Sequence, residues 1–409
     1  MQRTHFAKRP NYEQRLKDIG FEHFSLPSGP EKAPYWQEGV CYVFKEAEID
    51  RIEEATQTLH DMSVEMVRQM VGSGDYPDYF HLSDLEKSLI EQSWKRGDKS
   101  LLGRFDLAYN AKTSEIKMLE YNGDTPVSIL EASIAQWDYI QEASDIPEPM
   151  RIQYNMIDEQ LIETWNKYFN PNDTVHFAHA DSFRSEDYCN LMYLMDTAYR
   201  AKLQVKDITM ENIGHARNKT DPTDIKLIDL DDQNISNLFK LYPWEWIFKT
   251  VEVESLKHLK VNWMEPVWKA LLSNKAMLVK MWELFPNHPY LLEAHASESN
   301  ISADSGMWCK KAIHGREGAN VYQYDASTKA CVLGQGSHIV DEYSEWGYMY
   351  QNWHQLQNID GYYPILGSWV IGDKACGMSV REDRNPITGN DAFFACHVFI
   401  PREHPSYNV

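Results

Sequence analysis

The chain has 409 residues, a formal net charge of −21 and 43% hydrophobic residues. Its charge shows no basic stripe of the kind that marks a nucleic-acid binder, and no apolar run is long enough to span a bilayer. With 18 prolines, 13 Trp, 23 Tyr and 15 Phe, it reads as a globular chain of two or three subdomains rather than a disordered one.

The N-terminus, MQRTHFAKRPNYEQ, lacks the apolar stretch of a signal peptide. The six cysteines (41, 189, 309, 331, 376 and 396) lie far apart and form no Cys-x-x-Cys pair. A reducing cytoplasm is therefore expected. Residues 46–71 carry apolar side chains at Ile49, Ile52, Ala55, Leu59, Met62, Met66 and Met70, which predicts a helix stopped by Gly72 and Gly74. Its methionines read as core filling.

Next comes GRFDLAYNAKTSEIKMLEYNGDTP, residues 103–126. Alternation places Arg104, Asp106 and Ala108 on one face of a first strand, and Ile116, Met118, Glu120 and Asn122 on one face of a second. A five-residue loop, Ala111–Glu115, sets Asp106 opposite Glu120 and Arg104 opposite Asn122. Carboxylates so placed lie roughly 5 Å apart and repel unless positive charge lies between them. A magnesium ion would supply it, with the Asn122 amide as a neutral ligand and Arg104 beside it. A surface salt-bridge cluster and a glycosidase-like acid pair are the other readings, and the second leaves Asn122 and Arg104 unexplained.

SILEASIAQWDYI predicts a second helix, TVHFAHA (174–180) a buried strand, and SEDYCNLMYLMDTAYRAK the helix of an α/β unit. His176 and His179 fall on opposite strand faces, which argues for buried structural histidines rather than zinc ligands. IKLIDL reads as a strand, and KLYPWEWIFK as an aromatic segment broken by Pro243. From about 305 to 400, short alternating runs separated by glycines predict antiparallel sheet. Lys275 precedes an apolar helix, and Lys311 ends a strand that runs into Gly315-Arg316-Glu317-Gly318. Such glycines let backbone N–H groups approach phosphate, although the order is not that of a Walker A loop.

The ordered motifs RFD, EYN, NKA, KKAIHGREGAN, YQNW and VRED resemble the synthetase domain of the glutathionylspermidine synthetase family, and more closely its stand-alone acid–amine ligases. The resemblance spans roughly residues 30–400. It implies an ATP-grasp-like α/β (α+β) fold with mixed and antiparallel sheets, covering residues 1–400. A substrate lobe is expected at about 30–270 and an ATP-binding lobe at about 271–400. It also implies ATP with two Mg²⁺ ions held by Asp106, Glu120 and Asn122, and transition-state stabilisation by Arg104. Lys275, Lys311, Gly318, Tyr350, Gln351, Asn352, Trp353, Arg381, Pro386, Ile387 and Thr388 match nucleotide-contacting positions; spacing to Gly315 selects Lys311 over Lys310.

The implied reaction is ATP-dependent, ADP-forming ligation of a peptide-like acid to a polyamine-like amine through an acyl phosphate. A module with reduced turnover and a phosphotransferase on the same apparatus are the competing readings. Small-molecule substrates are expected rather than nucleic acid or membrane, and a homodimer is allowed. Thr125 replaces a serine that contacts glutathione in the family, Val127 replaces another, and Trp246 replaces a threonine. Glu186 and Asp187 match an acidic pair in the substrate cleft and could hold an amine, or could simply cap and solvate a helix. No cysteine amidase domain is recognised, so synthesis without hydrolysis is expected.

Overall fold

A computed structural model describes residues 1–408 except 26, 29–32, 181–184, 222, 251–252 and 390–391. Its largest sheet has seven strands in the order Gln2–His5, Trp36–Lys45, Phe393–Ile400, Lys374–Asp383, Tyr363–Ile371, Leu102–Asn110 and Glu115–Asn122. All neighbours are antiparallel except Phe393–Ile400 beside Trp36–Lys45. The hairpin of the RFD and EYN motifs thus forms one edge of the sheet.

Helix Glu46–Ser73 covers one face of this sheet. Its apolar stripe, Ile49, Ile52, Ala55, Leu59, Met62, Met66 and Met70, is buried as the periodicity predicts. Gly72 is accommodated in the last turn, and Gly74, at φ +69°, ends the helix. The other face is covered by Ile157–Tyr168 and by the predicted helix after the hairpin, whose residues Glu131–Ala135 form a π turn before Gln136–Glu142.

A second sheet of four parallel strands runs Asn262–Met264, Asn237–Lys240, Thr174–His179, Gln204–Thr209. Helix Ser185–Arg200 makes the crossover between the last two, the α/β unit read from the sequence. His176 is 2% exposed and meets Asp229 at 3.0 Å, and His179 meets Asp207 at 3.1 Å, so both are structural groups. A third sheet is antiparallel, in the order Ala294–His295, Tyr348–Asn352, Met307–Ala312, Val321–Asp325, Cys331–Leu333. The predicted antiparallel runs are all present, but they divide. Those before residue 353 build this third sheet, and those after 363 join the hairpin's sheet. Among the described residues no helix is long and apolar enough to cross a membrane.

Candidate active site

The hairpin has the expected register at the charged residues: Arg104 pairs with Asn122 and Asp106 with Glu120. The route to that register differs from the sequence reading. The connection is four residues, since Asn110 pairs with Glu115, and a bulge at Leu119 inserts the residue that restores the alignment. Ile116 and Met118 consequently pair with Tyr109 and Leu107 on the apolar face, not on the face of Glu120 and Asn122. One extra residue reverses side-chain direction.

The two facing carboxylates do not stand uncompensated. Arg104 donates from Nε to Asp106 at 2.8 Å and from a terminal nitrogen to the Val127 carbonyl at 2.6 Å. Lys275 Nζ lies 3.0 Å from Glu120 and donates to the Gly315 carbonyl at 2.6 Å. Burial opposes charge at both Arg104 and Glu120. Asp106 and Glu120 nevertheless hold the Arg104 guanidinium above its usual range, and Lys275, Lys311 and Arg104 hold the Glu120 carboxyl well below the usual carboxylate range. The positive charge that the facing acids demand is thus available within the chain. What remains for a metal is the donor set itself: two carboxylates and an amide oxygen, all on one open wall, the hard-oxygen chemistry suited to magnesium.

Two glycines let backbones approach closely. A Cβ on Gly367 would lie 3.0 Å from Arg104 Cδ, so the bare backbone gives the guanidinium its bed. Gly318 has φ +71°, and its Cβ would lie 2.6 Å from the Thr388 carbonyl, which packs the glycine loop onto Pro386–Thr388. Asp383 braces that segment by accepting the N–H groups of Asn385 and Gly389 at 2.8 and 3.1 Å.

These segments enclose a cleft of about 460 Å³. It gathers Arg104, Asp106, Glu120, Asn122, Lys275, Lys311, Gly318, Gln351, Asn352, Trp353, Arg381, Pro386, Ile387 and Thr388, and also Thr125, Asp187 and Trp246. Alternation on the third sheet explains the choice between neighbours. Lys311 turns inward, meeting Gln351 at 2.7 Å and the Leu119 carbonyl at 3.0 Å, whereas Lys310 lies 4.4 Å from the Tyr348 ring centre. Burial lowers the Lys311 ammonium from its usual value, with Lys275 adding repulsion. Two expected residues do not line the cleft. Tyr350 shares the outer face with Lys310 and packs on Tyr324 at 5.3 Å. Glu186 sits just behind the cleft-lining Asp187, against Glu131 and His23.

Reading the glycine loop as backbone alone misses the Arg316 side chain. It donates to Thr125 Oγ1 at 3.0 Å and to Glu245, and it lies 5.9 Å from the Trp246 ring centre. Thr125 itself follows Asp124, whose carboxylate meets Lys240 at 2.6 Å and the Trp244 N–H at 2.9 Å with both charged side chains 0% exposed. The one available signal was the charged pair Arg316-Glu317 between glycines, where a plain turn needs neither.

Comparisons with known proteins give the family of the chain. Residues 3–400 match the family described as glutathionylspermidine synthase preATP-grasp. A Haemophilus influenzae protein with the provisional name acid–amine ligase is 40% identical over 400 residues, covering 97% of this chain and 99% of its own. Trypanothione synthetase of Crithidia fasciculata is 27% identical over 359 residues, which is 82% of this chain but only 53% of that protein. The chain likewise spans 57% of the bifunctional glutathionylspermidine synthetase/amidase of Escherichia coli, at 21% identity. In structure, a glutathione synthetase-like effector of Globodera pallida superimposes with a TM-score of 0.54 at 11% identity, covering 96% of this chain and all of that one, a likeness of fold. Hairpin, glycine loop and matched span together assign the chain to the glutathionylspermidine synthase preATP-grasp family.

Proposed function

We propose that the protein is an ATP- and magnesium-dependent ligase that joins a carboxylic acid to an amine. The observation that carries this reading is the meeting, in one cleft, of the hard-oxygen set Asp106, Glu120 and Asn122 with cations from separate segments: Arg104, Lys275, Lys311 and Arg381. A net charge of −21 makes such a concentration of positive charge a local construction, suited to a polyphosphate. The printed names of its relatives, synthetases and an acid–amine ligase, support the same reaction class.

In this reading Lys275 and Lys311 meet the phosphates, the glycine loop covers them, and Gln351–Trp353 with Pro386–Thr388 receive the rest of the nucleotide. Asp106, Glu120 and Asn122 would hold magnesium, which supplies charge neutralisation for phosphoryl transfer. Arg104, fixed by Asp106 and Val127, donates to the oxyanion that forms when the amine adds to the acyl carbon. Arg316 beside Thr125 and Trp246 shapes the wall next to the acid substrate. Enclosure by the loop keeps water from the acyl phosphate.

The test is phosphate release from ATP with magnesium and a panel of peptide-like acids and polyamines. Phosphate release that needs both an acid and an amine supports the ligase; ADP formation with the acid alone, without phosphate release and with a stable phosphorylated product, overturns it.

A further inference from the structure

The parallel sheet gives the cleft one of its walls. Strand Thr174–His179 has Gln204–Thr209 on one side, and the chain then returns to lay Asn237–Lys240 on the other. In open parallel sheets such a reversal of strand order opens a ligand crevice, outside the carboxyl ends of the two diverging strands. The residues just past those ends, Ala180 and Leu241, both line the cleft. The Leu241 N–H donates to the Ala178 carbonyl at 2.8 Å, which holds the two strand ends side by side.

Leu241 leads through Pro243 into the short helix Trp244–Ile247. Trp244, Glu245 and Ile247 are buried there, whereas Trp246 is 36% exposed and lines the cleft. Pro126, Val127, Ala180, Leu241 and Pro243 line it too, so three segments of the chain bring apolar groups to the same cavity. Apolar surface gathered in a cleft is the informative kind of exposure.

The wall is rigid and starts at the reaction centre. Asp124 accepts from the Lys240 ammonium at 2.6 Å and from the Trp244 N–H at 2.9 Å, which ties the segment of Thr125 and Val127 to the strand end and the helix of Trp246. Tyr242 packs edge-on against Trp246, with ring centres 5.3 Å apart. The Val127 carbonyl receives Arg104 at 2.6 Å, so the wall begins beside the group assigned to the acyl oxygen. Among the described residues Arg316 is the cation on this wall, and both of its terminal nitrogens are engaged, one by Thr125 and one by Glu245. A charged side chain of a ligand would have to compete with those partners or lie there unpaired, which is costly. An apolar side chain needs no partner and gains by leaving water.

We propose that this wall is the side-chain subsite for the acid, that Trp246 is its specificity-determining residue, and that the acid carries an uncharged aromatic or branched aliphatic side chain. The inference rests on the ligase reading.

The experiment uses dipeptides with Gly, Leu, Phe, Glu or Lys at one position and Gly at the other, and hydroxylamine as the nucleophile. Hydroxylamine is uncharged at neutral pH and captures an acyl phosphate as a hydroxamate, so the natural amine plays no part. In the parent, kcat/KM for the best Phe or Leu peptide should exceed that for glycylglycine, and for the Glu and Lys peptides, by about tenfold or more. Trp246→Ala should lower this ratio by about tenfold, and Trp246→Phe, which keeps a ring, should hold it within about threefold. Each ratio is taken within one protein, so a general loss of activity or of folded material does not imitate the effect. A parent that prefers the Glu or Lys peptides, or a ratio unmoved in Trp246→Ala, overturns the inference. Calorimetric titration of the same peptides, with magnesium and a non-hydrolysable ATP analogue, reads the subsite without turnover. The Phe peptide should bind the parent about tenfold tighter than it binds Trp246→Ala; equal affinities overturn the subsite for any reaction. Binding that depends on Trp246, with no hydroxamate formed from any peptide, keeps the subsite and instead sinks the ligase reading.

Discussion

One strand, Leu102–Asn110, carries two clusters of charge with opposite character. At its start, Glu265 accepts the N–H groups of Leu101 and Leu102 at 3.0 and 2.9 Å, the Ser100 hydroxyl at 2.9 Å and the Lys269 ammonium at 2.7 Å. Lys269 spends its other donors on Ser100 and the Leu102 carbonyl, and the two charged side chains are 0% and 1% exposed. Four residues on, Asp106 and its cross-strand partner Glu120 are 14% and 28% exposed and open into the cleft beside Arg104 and Lys275. The ingredients match, a carboxylate and a cation; the difference is whether each oxygen is committed inside the protein. A saturated cluster fastens the strand, and an unsaturated one leaves oxygens to offer a ligand.

The sharpest break in this comparison would come from Glu265→Ala. It strands Lys269 and two backbone donors, so denaturant unfolding should show a loss of about 3–5 kcal/mol; a loss within error would make the saturated cluster ornamental. Next, Glu120→Gln should lower magnesium-dependent ATP turnover by about 10²-fold or more in protein that still folds, as read by circular dichroism. Full activity in that variant would remove the donor role. Third, pH separates two acids of the site region. The Glu120 carboxyl is lowered from 4.5 to about 2 in the fold, so its contribution to stability is present above about 4.5 and lost as pH falls toward 2. Glu186 is raised from 4.5 to about 7, so its contribution is present below 4.5 and lost as pH rises through 7. Unfolding midpoints of Glu120→Gln and Glu186→Gln across that range should therefore depart from the parent with opposite slopes. The smallest effect is at Thr125→Val, which removes one acceptor of Arg316 and should cost about 1 kcal/mol, read as a weakened KM for the acid with little change in kcat.

Much of the chemistry was legible because it is local. Alternation put Arg104 beside Asp106, and spacing to a glycine separated Lys311 from Lys310. The face of Ile116 and Met118 was misread even so, although the apolar positions 116, 118 and 121 step by two and then by three, which is the trace of a bulge. What stayed hidden depends on distant pairing. Arg316 meets Glu245 across 71 positions, and Lys240 meets Asp124 across 116. No period within either segment encodes such a meeting. The return of strands after residue 363 to the hairpin's sheet is hidden for the same reason: an antiparallel run carries no label for its neighbour.

The bulge at Leu119 also has a consequence for how this hairpin can vary. It sits between the turn and the charged pairs, with the Leu119 carbonyl pinned by Lys311. Residues added to or lost from Ala111–Ser114 change only the far end of the ladder. The functional rungs keep their alignment because it is set at 119, as a vernier is set by its zero mark. Deletion of Leu119 would straighten the ladder, with Glu120 following Met118 and facing Asp106 by plain alternation, but it would remove the carbonyl that holds Lys311. Length variation among hairpins of this kind should therefore gather at the tip and spare this one position.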